Sequence, residues 1–169
     1  MCDLSQRRTG SPHWHAARAT AHLRMAAVDF QLSLESEPVG SAYPNEPLAV
    51  TPDATVASAL QLLRARRTGA VLVCDAVGLV GIFTERDALR LMADGADLDV
   101  PIADVMSAEP VTLSAKETVA SAIKKMSEGG YRHLPIVEDN GQPSGVAAVH
   151  GIVHYLVDHF PDTIYNLPP

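Results

Sequence analysis

The chain has 169 residues, of which 47% are apolar, and 13 basic against 20 acidic side chains give it a formal net charge of −7. This length and composition suit one globular domain or a tightly paired two-repeat unit. The negative balance, without any Lys/Arg cluster, argues against a nucleic-acid partner. Two cysteines are too few for a disulfide framework, and no apolar run reaches the length of a membrane span or signal peptide. We therefore expect a cytoplasmic protein without a membrane partner.

Residues 1–40 are predicted to form an N-terminal extension that is partly helical or disordered. A helix is predicted from His13 to Leu34, although Ser, Arg and His interrupt its apolar face. Met25 is an alternative start. In that case the first 24 residues carry no function, and neither do four side chains within them, His13, Trp14, His15 and His22.

Two copies of one pattern follow. TVASAL at Thr55–Leu60 recurs as TVASAI at Thr118–Ile123, so the offset from position 55 to position 118 is 63, and it becomes 64 where Gly81 matches Gly145. A long period that occurs twice indicates a duplicated supersecondary unit. We assign residues 41–100 to repeat one, 101–160 to repeat two and 161–169 to a C-terminal tail.

Each repeat is predicted to run strand, helix, strand, strand, helix, which gives an α/β fold of the α+β type. The elements predicted for repeat one are a strand at Leu48–Val50, a helix at Val56–Arg67, strands at Ala70–Cys74 and Leu79–Phe83, and a helix at Ala88–Ala93. Thr51, Pro52 and Asp53 are expected to cap the first helix.

Pro101–Met106 is expected to be a short helical connector to repeat two. The elements predicted there are a strand at Val111–Leu113, a helix at Val119–Ser127, strands at Leu134–Glu138 and Gly145–Ala148, and a helix at Ile152–Phe160. Ser114 and Glu117 have the spacing of a capping box. The tail is short and bounded by prolines, so we predict no structure of its own there.

Several ordered motifs in residues 41–160 resemble a known family. They are Asp104-Val105-Met106-Ser107 before Pro110-Val111-Thr112-Leu113, then Leu134-Pro135-Ile136-Val137, and Gly81-Ile82-Phe83-Thr84-Glu85-Arg86-Asp87. Together they resemble a tandem pair of cystathionine-β-synthase (CBS) domains, a Bateman module, of the stand-alone bacterial type. The resemblance implies two β-α-β-β-α repeats packed sheet to sheet by pseudo-twofold symmetry. It also implies AMP, ADP, ATP or S-adenosylmethionine bound between the repeats, with no obligatory cofactor, and a homodimer shaped as a flat disc.

By the same resemblance, Thr84 and Asp87 are the ligand-binding pair at the turn into the second helix of repeat one. A carboxylate can accept both hydroxyls of a ribose, and a hydroxyl at a helix start lies beside free N–H groups that favour phosphate. Arg86 is a candidate for charge-assisted bonds to that phosphate. The alternative is that Thr84 and Asp87 form a capping box and only satisfy helix amides.

The family's adenine slot maps onto Thr55, Gly69, Ala70, Val71 and Ile82, although the apolar members also suit ordinary sheet core. Repeat two has Ala148 and Gly151 where repeat one has Thr84 and Asp87. Since neither residue has a polar side chain, we expect one competent site per chain. Arg132 and His133 are candidate phosphate contacts, with plain surface solvation as the alternative.

His150, His154 and Asp158 form one helical stripe, which is the spacing of metal ligands but also that of a solvated face. We predict no metal site. The sequence shows no nucleophile–base pair, Gly-rich phosphate loop or HExxH, so we expect no enzyme.

The resulting prediction is a regulatory CBS pair whose adenosine ligand changes association with an effector protein that the sequence does not identify. The alternative is a structural or dimerisation module that binds no ligand. A homodimer is expected through exposed apolar residues on the outer helices, with the Ile164–Leu167 tail strapped onto the partner. The residues concerned are Leu89, Met92, Val153 and Leu156, and the alternative is that they pack within the chain.

Overall fold

The structure, a computed structural model, describes residues 30–165. Its strands are β1 Ala49–Val50, β2 Ala70–Cys74, β3 Leu79–Thr84, β4 Ser107–Ala108, β5 Leu113–Ser114, β6 His133–Val137 and β7 Pro143–Ala148. Its helices are α1 at residues 30–36, α2 Val56–Arg66, α3 Glu85–Ala93, α4 Val119–Gly129, α5 Val149–His159 and α6 Pro161–Tyr165. Two short 3₁₀ helices span Val39–Ser41 and Ile102–Asp104.

The duplication seen in the sequence holds in the structure, element by element. From α2 to α4 and from β2 to β6 the offset is 63, and from β3 to β7 and from α3 to α5 it is 64. The extra residue lies in the hairpin turn between β6 and β7. Both hairpins also carry a register irregularity at matching positions, Val73/Cys74 and Ile136/Val137. The predicted strand-helix-strand-strand-helix order and α/β class are confirmed.

The first residues of each repeat pair with the sheet of the other repeat. β4 lies antiparallel to β3, with Ile82 opposite Ser107, and completes the sheet of order β1-β2-β3-β4. In the reciprocal position Asn45 bridges to Val146 of β7, at the edge of the β5-β6-β7 sheet. This exchange relates the two repeats by a pseudo-twofold axis. The sequence did not predict β4, because its pairing with β3 is a tertiary contact that local sequence does not show.

Threonines at equivalent positions begin the first helix of each repeat. Thr55 Oγ1 accepts the Ser58 N–H and Thr118 Oγ1 accepts the Ser121 N–H, each at 3.2 Å, which satisfies one of the free donors of a helix start. The caps predicted from the sequence were wrong, since Thr51 and Ser114 each lie four residues before the threonine that caps the helix. Thr51 closes a turn, with the Ala54 N–H donating to its carbonyl.

Glu117 and Ser114 do not form the predicted capping box of α4. The Glu117 side chain instead links the end of β5 to α4. Its Oε1 accepts the Ser114 N–H and the Lys125 ammonium, both at 2.9 Å, and its other oxygen accepts from Ser121. Burial opposes ionisation of this carboxyl, but the hydrogen bonds from Ser121, Lys125 and Ser114 outweigh it and hold its pKa below the usual value.

Each repeat has its own core, and the two sheets face each other through a third apolar cluster. Ala70, Leu72 and Ile82 of the first sheet meet Val146 of the second in this cluster. The core of repeat two also includes Leu34, Val39 and Ala42, which precede repeat one in the chain. Residues 30–42 therefore pack on repeat two, and of the predicted His13–Leu34 helix only the end lies within the described residues.

The second helix of each repeat starts earlier than predicted. α3 begins at Glu85 and α5 at Val149, each three residues before the predicted start. In α3 the first turn is polar, and in α5 it contains Gly151, so neither turn shows apolar periodicity. The tail was also mispredicted, since Pro161–Tyr165 forms α6.

Candidate functional site

A cleft opens between the end of the repeat-one sheet and the chain that leads into repeat two. Its volume is about 360 Å³, which is within the range of small-molecule sites. Four parts of the chain meet there: the residue before β2, the β3–α3 turn, the connector around β4, and the loop between α4 and β6. The lining consists of Gly69, Ile82, residues 84–87, Arg90, residues 107–111 and residues 130–134.

Thr84 and Asp87 form a capping box at the start of α3. The Thr84 N–H and hydroxyl donate to Asp87 Oδ2 at 3.0 and 2.7 Å. Oδ1 has only a longer contact within residues 30–165, 3.6 Å from Arg90 Nη1. The capping box is thus present, and both of its residues also line the cleft. Asp87 Oδ2 accepts the capping hydrogen bonds, whereas Oδ1 can still accept others.

Both signs of charge surround the cleft. The carboxylates are Glu85, Asp87 and Glu109, and the cations are Arg86, Arg90 and Arg132. His133 adds a titratable ring whose pKa lies below its ordinary value, because burial and the positive charges of His150 and Arg132 disfavour protonation, against a smaller opposing effect of Glu85. The ring is therefore neutral near pH 7.

Gly69 makes room for this ring. A Cβ built on Gly69 would lie 2.7 Å from both Cε1 and Nε2 of His133. The sequence predicted a close approach at Gly69. The approaching group among the described residues is the imidazole from repeat two.

Seven of the ten residues predicted from the sequence meet in this cleft: Gly69, Ile82, Thr84, Arg86, Asp87, Arg132 and His133. The other three lie outside its lining. Thr55 caps α2, Ala70 packs between the sheets, and Val71 is fully buried in the repeat-one core. The sequence missed Arg90, Tyr131 and the connector residues 107–111. The family motifs at Asp104–Ser107 and Pro110–Leu113 cover part of the connector, but they do not show that it reaches back to repeat one.

At the equivalent place in repeat two, the start of α5, residues 42–43 lie against the helix and cover the position of the cleft. Gly151 replaces Asp87, and a Cβ there would lie 2.7 Å from the Tyr43 carbonyl oxygen and 3.0 Å from that of Ala42. The Tyr43 hydroxyl donates to Asp158 Oδ2 at 3.3 Å, and its ring lies 5.1 Å from the His154 ring. Residues 42–45 are thereby held against the start of α5, the position that corresponds to Asp87 in repeat one.

This geometry agrees with the comparison to known families. The profile of the CBS domain matches residues 39–94 and 102–158, which is well over half of the chain. The chain belongs to the CBS-domain family.

Relatives of the CBS pair occur in bacteria and archaea. The CBS domain-containing protein YhcV of Bacillus subtilis is 36% identical over 92 residues, 54% of this chain. An uncharacterised 17.7 kDa protein of Acidianus ambivalens is 31% identical over 110 residues, 64% of this chain. Each alignment spans 66% of the relative, which is slightly less than two thirds of its length.

Solved structures share the fold. The CBS-domain containing protein ATU1752 from Agrobacterium tumefaciens is 30% identical with a TM-score of 0.62, covering 69% of this chain and 89% of that one. The CBS domain protein PAE2072 from Pyrobaculum aerophilum, which was solved in complex with AMP, is 25% identical with a TM-score of 0.64, covering 72% and 98%. The packing of two CBS repeats predicted from the sequence is therefore confirmed.

The histidine stripe of the CBS pair lies on the exposed side of α5. His154 Nε2 is 3.6 Å from Asp158 Oδ2. Within residues 30–165, no three or more His, Cys, Asp or Glu side chains are grouped so that they could hold a metal ion. In the same part of the chain, every helix is too short or too polar to span a membrane.

Proposed function

We propose that this CBS pair binds an adenosine nucleotide reversibly in the cleft of repeat one and acts as a regulatory module. The observation that carries the proposal is the position of the Thr84–Asp87 pair. The Asp87 side chain is largely buried, 13% exposed, lies in the first turn of α3 and lines a cleft of ligand size. AMP in the complex of PAE2072 supports the class of ligand.

Asp87 is the proposed ribose contact, because Oδ1 can accept hydroxyl hydrogen bonds while Oδ2 stays with Thr84. The phosphate would lie toward the first turn of α3, where free N–H groups favour an anion. Arg86 and Arg90 are exposed beside this turn and can donate charge-assisted hydrogen bonds to it.

The purine has an apolar surface available in the same cleft. Ile82, Val111 and Leu134 come from β3, the connector and β6, and Tyr131 adds an aromatic ring. This set differs from the slot expected from the family, since Thr55, Ala70 and Val71 lie outside the lining. Arg132 and His133 remain proposed phosphate contacts at the repeat-two side of the cleft.

Binding in this position would couple ligand occupancy to the arrangement of the two repeats. A ligand that contacts α3 of repeat one, the connector and the 130–134 loop of repeat two favours the state in which these parts are close together. A ligand can shift such an equilibrium only through different affinity for the two states. We propose that the favoured state changes association with an effector protein or with a second copy of the chain.

Thermal unfolding with AMP, ADP, ATP and S-adenosylmethionine tests the ligand class. A ligand that binds only the folded state adds about 2.7 kcal/mol at a hundredfold excess over Kd, so at least one of the four should raise the melting temperature clearly. Titration calorimetry then ranks them. If none of the four changes the melting temperature or gives binding heat, the proposed nucleotide site is wrong.

A structural or dimerisation module is the second candidate function. It is favoured by the same capping box, in which Asp87 already has a role without ligand, and by exposed apolar side chains on α3 and α5. The calorimetric titration separates the two functions, because a structural module gives no binding heat with any adenosine compound.

A further inference from the structure

Glu109 and Asp87 line the nucleotide cleft at different levels of β3. Asp87 accepts hydrogen bonds from Thr84, the last residue of that strand. The Glu109 N–H donates to the carbonyl of Val80, an earlier residue of the same strand, at 3.1 Å. At the usual rise per strand residue, Thr84 and Val80 are about 13 Å apart. The two carboxylates therefore belong to separate parts of the cleft.

The backbone of Glu109 is held in an unusual conformation. Its φ is +47°, in the left-handed region that costs a residue other than glycine free energy. β4 comes directly before it and Pro110 directly after it, so strand pairing with β3 and the proline ring restrict the turn from both sides. Strained residues of this kind cluster at ligand sites, and Glu109 lines the cleft.

Glu109 differs from the other two carboxylates of the cleft lining, Glu85 and Asp87. Asp87 lies 3.6 Å from Arg90, and Glu85 is close enough to His133 to act on the pKa of its ring. Among the residues that the structure describes, the Glu109 side chain makes no hydrogen bond or ion pair. Both of its oxygens can therefore accept hydrogen bonds from a ligand.

We propose that Glu109 accepts a hydrogen bond from the 6-amino group of the adenine and thereby selects this base. This role rests on the proposed function, in which Asp87 holds the ribose. With the ribose at that end, the base extends past Ile82 toward the level of Val80, where Glu109 lies. The 6-amino group is on the side of the base remote from the ribose, and an ionised carboxylate accepts hydrogen bonds but donates none.

A carboxylate at this place discriminates between purines by the group at position 6. Hypoxanthine has an oxygen there, so two acceptors would face each other and the carboxylate would lose water without gaining a donor. Unsubstituted purine has only a C–H group there and offers no hydrogen bond. Guanine also has an oxygen at position 6, and its N–H donors lie on the neighbouring part of its edge. AMP should therefore bind more tightly than the corresponding nucleotides of these three bases.

Titration calorimetry on the whole chain with AMP and with purine riboside 5′-monophosphate, which lacks only the amino group, tests the contact. The wild type should bind AMP about tenfold more tightly, as expected for one hydrogen bond to a charged group. Glu109→Ala should bind the two nucleotides equally. The ratio of the two affinities cancels any general effect of the lost charge on the phosphate. Glu46→Ala is the matched control and should keep the preference, because Glu46 is also exposed and followed by a proline but lies outside the cleft lining.

The role of Glu109 and the nucleotide site can fail separately. If the wild type binds AMP without preferring it, or if Glu109→Ala keeps the preference, Glu109 does not contact the amino group, although the nucleotide site stands. GMP that binds more tightly than AMP would show that the carboxylate accepts from guanine instead, and would also overturn the role. If no adenosine nucleotide binds, the nucleotide site and the role of Glu109 are both wrong. Since the side chain is exposed, Glu109→Ala should unfold at the wild-type temperature without ligand.

Discussion

Asp87 caps α3 with one carboxylate oxygen, and we propose that its other oxygen binds the nucleotide. Oδ2 accepts from the Thr84 N–H and hydroxyl, and among the described residues the one contact of Oδ1 is with Arg90, at 3.6 Å. Asp87→Asn keeps the shape but removes the charge. We expect nucleotide affinity, measured by calorimetry, to fall by about 1.5 to 3 kcal/mol, and stability without ligand to fall by no more than about 1 kcal/mol.

Asp75→Asn is the matched control for that loss of charge. Asp75 also accepts two backbone N–H groups, from Val77 at 2.8 Å and Gly78 at 3.0 Å, and it lies outside the cleft lining. The hydrogen bonds from Gly78 and Val77 hold its pKa below the usual value. This variant should lose some stability and keep nucleotide affinity. If Asp87→Asn behaves in the same way, Asp87 serves the helix alone.

Position 151 accommodates only glycine without rearrangement, because the backbone of residues 42–43 lies directly against it. Gly151→Ala would place a methyl group 2.7 Å from the Tyr43 carbonyl oxygen, so either α5 or residues 42–43 must move. We expect a loss of about 1 to 3 kcal/mol in the free energy of unfolding, the usual cost of overpacking. Gly40→Ala in the same segment has no atom within 4 Å of the new Cβ and should be neutral in denaturant unfolding. Equal stability of the two variants would contradict the close packing of this segment.

His133 makes stability depend on pH in one direction. Its folded pKa lies below the ordinary 6.5, mainly because of burial, so the unfolded chain binds the proton more tightly. The stability contributed by the neutral ring is present above about pH 6.5 and is lost as the pH falls toward the folded pKa. Denaturant unfolding without ligand should show a smaller loss on acidification in His133→Gln than in the wild type. Parallel pH profiles would show that the ring is not a source of this dependence.

At the scale of elements, the helices and strands that could be predicted from the sequence were those with a regular pattern of apolar residues. β2 was predicted to the residue because five consecutive apolar residues, buried almost throughout, are typical of a two-sided strand. The N-terminal turns of α3 and α5 were missed because their residues form a capping box, carry charge or allow close backbone contact. Such residues show no apolar pattern of a buried helix face. Those missed turns are the places where repeat one has Asp87 and repeat two has Gly151.

The position of the connector, residues 107–111, was harder to predict than any helix, because it depends on strand pairing with β3, which is distant in the chain. Ser107 and Ala108 form a strand only through β3, with Gly81 and Ile82 as partners. Local sequence cannot show such a partner, so the cleft lining at residues 107–111 was not predictable. Thr84 and Asp87 were placed at this turn by the resemblance to CBS domains, and the structure shows them as a capping box that lines the cleft. Their role in ribose binding stays a prediction.

The exchange of segments between repeats predicts the number of sites. Residues 107–111, near the start of repeat two, border an open cleft in repeat one, whereas residues 42–45, at the start of repeat one, are held over α5 by the Tyr43–Asp158 hydrogen bond. Titration calorimetry with the best adenosine ligand should therefore give close to one site per chain. Asp87→Asn should weaken that one transition without uncovering another. Two equal sites would show that the covered cleft opens readily and that Ala148 and Gly151 do not disable it.

At the scale of the molecule, the outer helices leave apolar side chains uncovered. Leu89 is 67%, Met92 59% and Val153 52% exposed, and an apolar patch made of such residues would suit an interface. Leu156, predicted to be part of it, packs instead against the repeat-two core. Of the tail expected to strap onto a partner, residues 164 and 165 end helix α6 and the rest lies outside the described residues.

We propose that the remaining patch pairs two copies of the chain. Light scattering at micromolar concentration should give twice the 18.0 kDa chain mass. Leu89→Glu/Val153→Glu should give the mass of a single chain, because two carboxylates cannot be buried unpaired in an apolar interface. Val77→Glu also adds charge at an exposed apolar residue, 82% accessible, but it lies in a hairpin turn outside the patch and should remain dimeric. A monomeric wild type, with or without nucleotide, would rule out the dimer. A dimer that survives the double substitution would place the interface elsewhere.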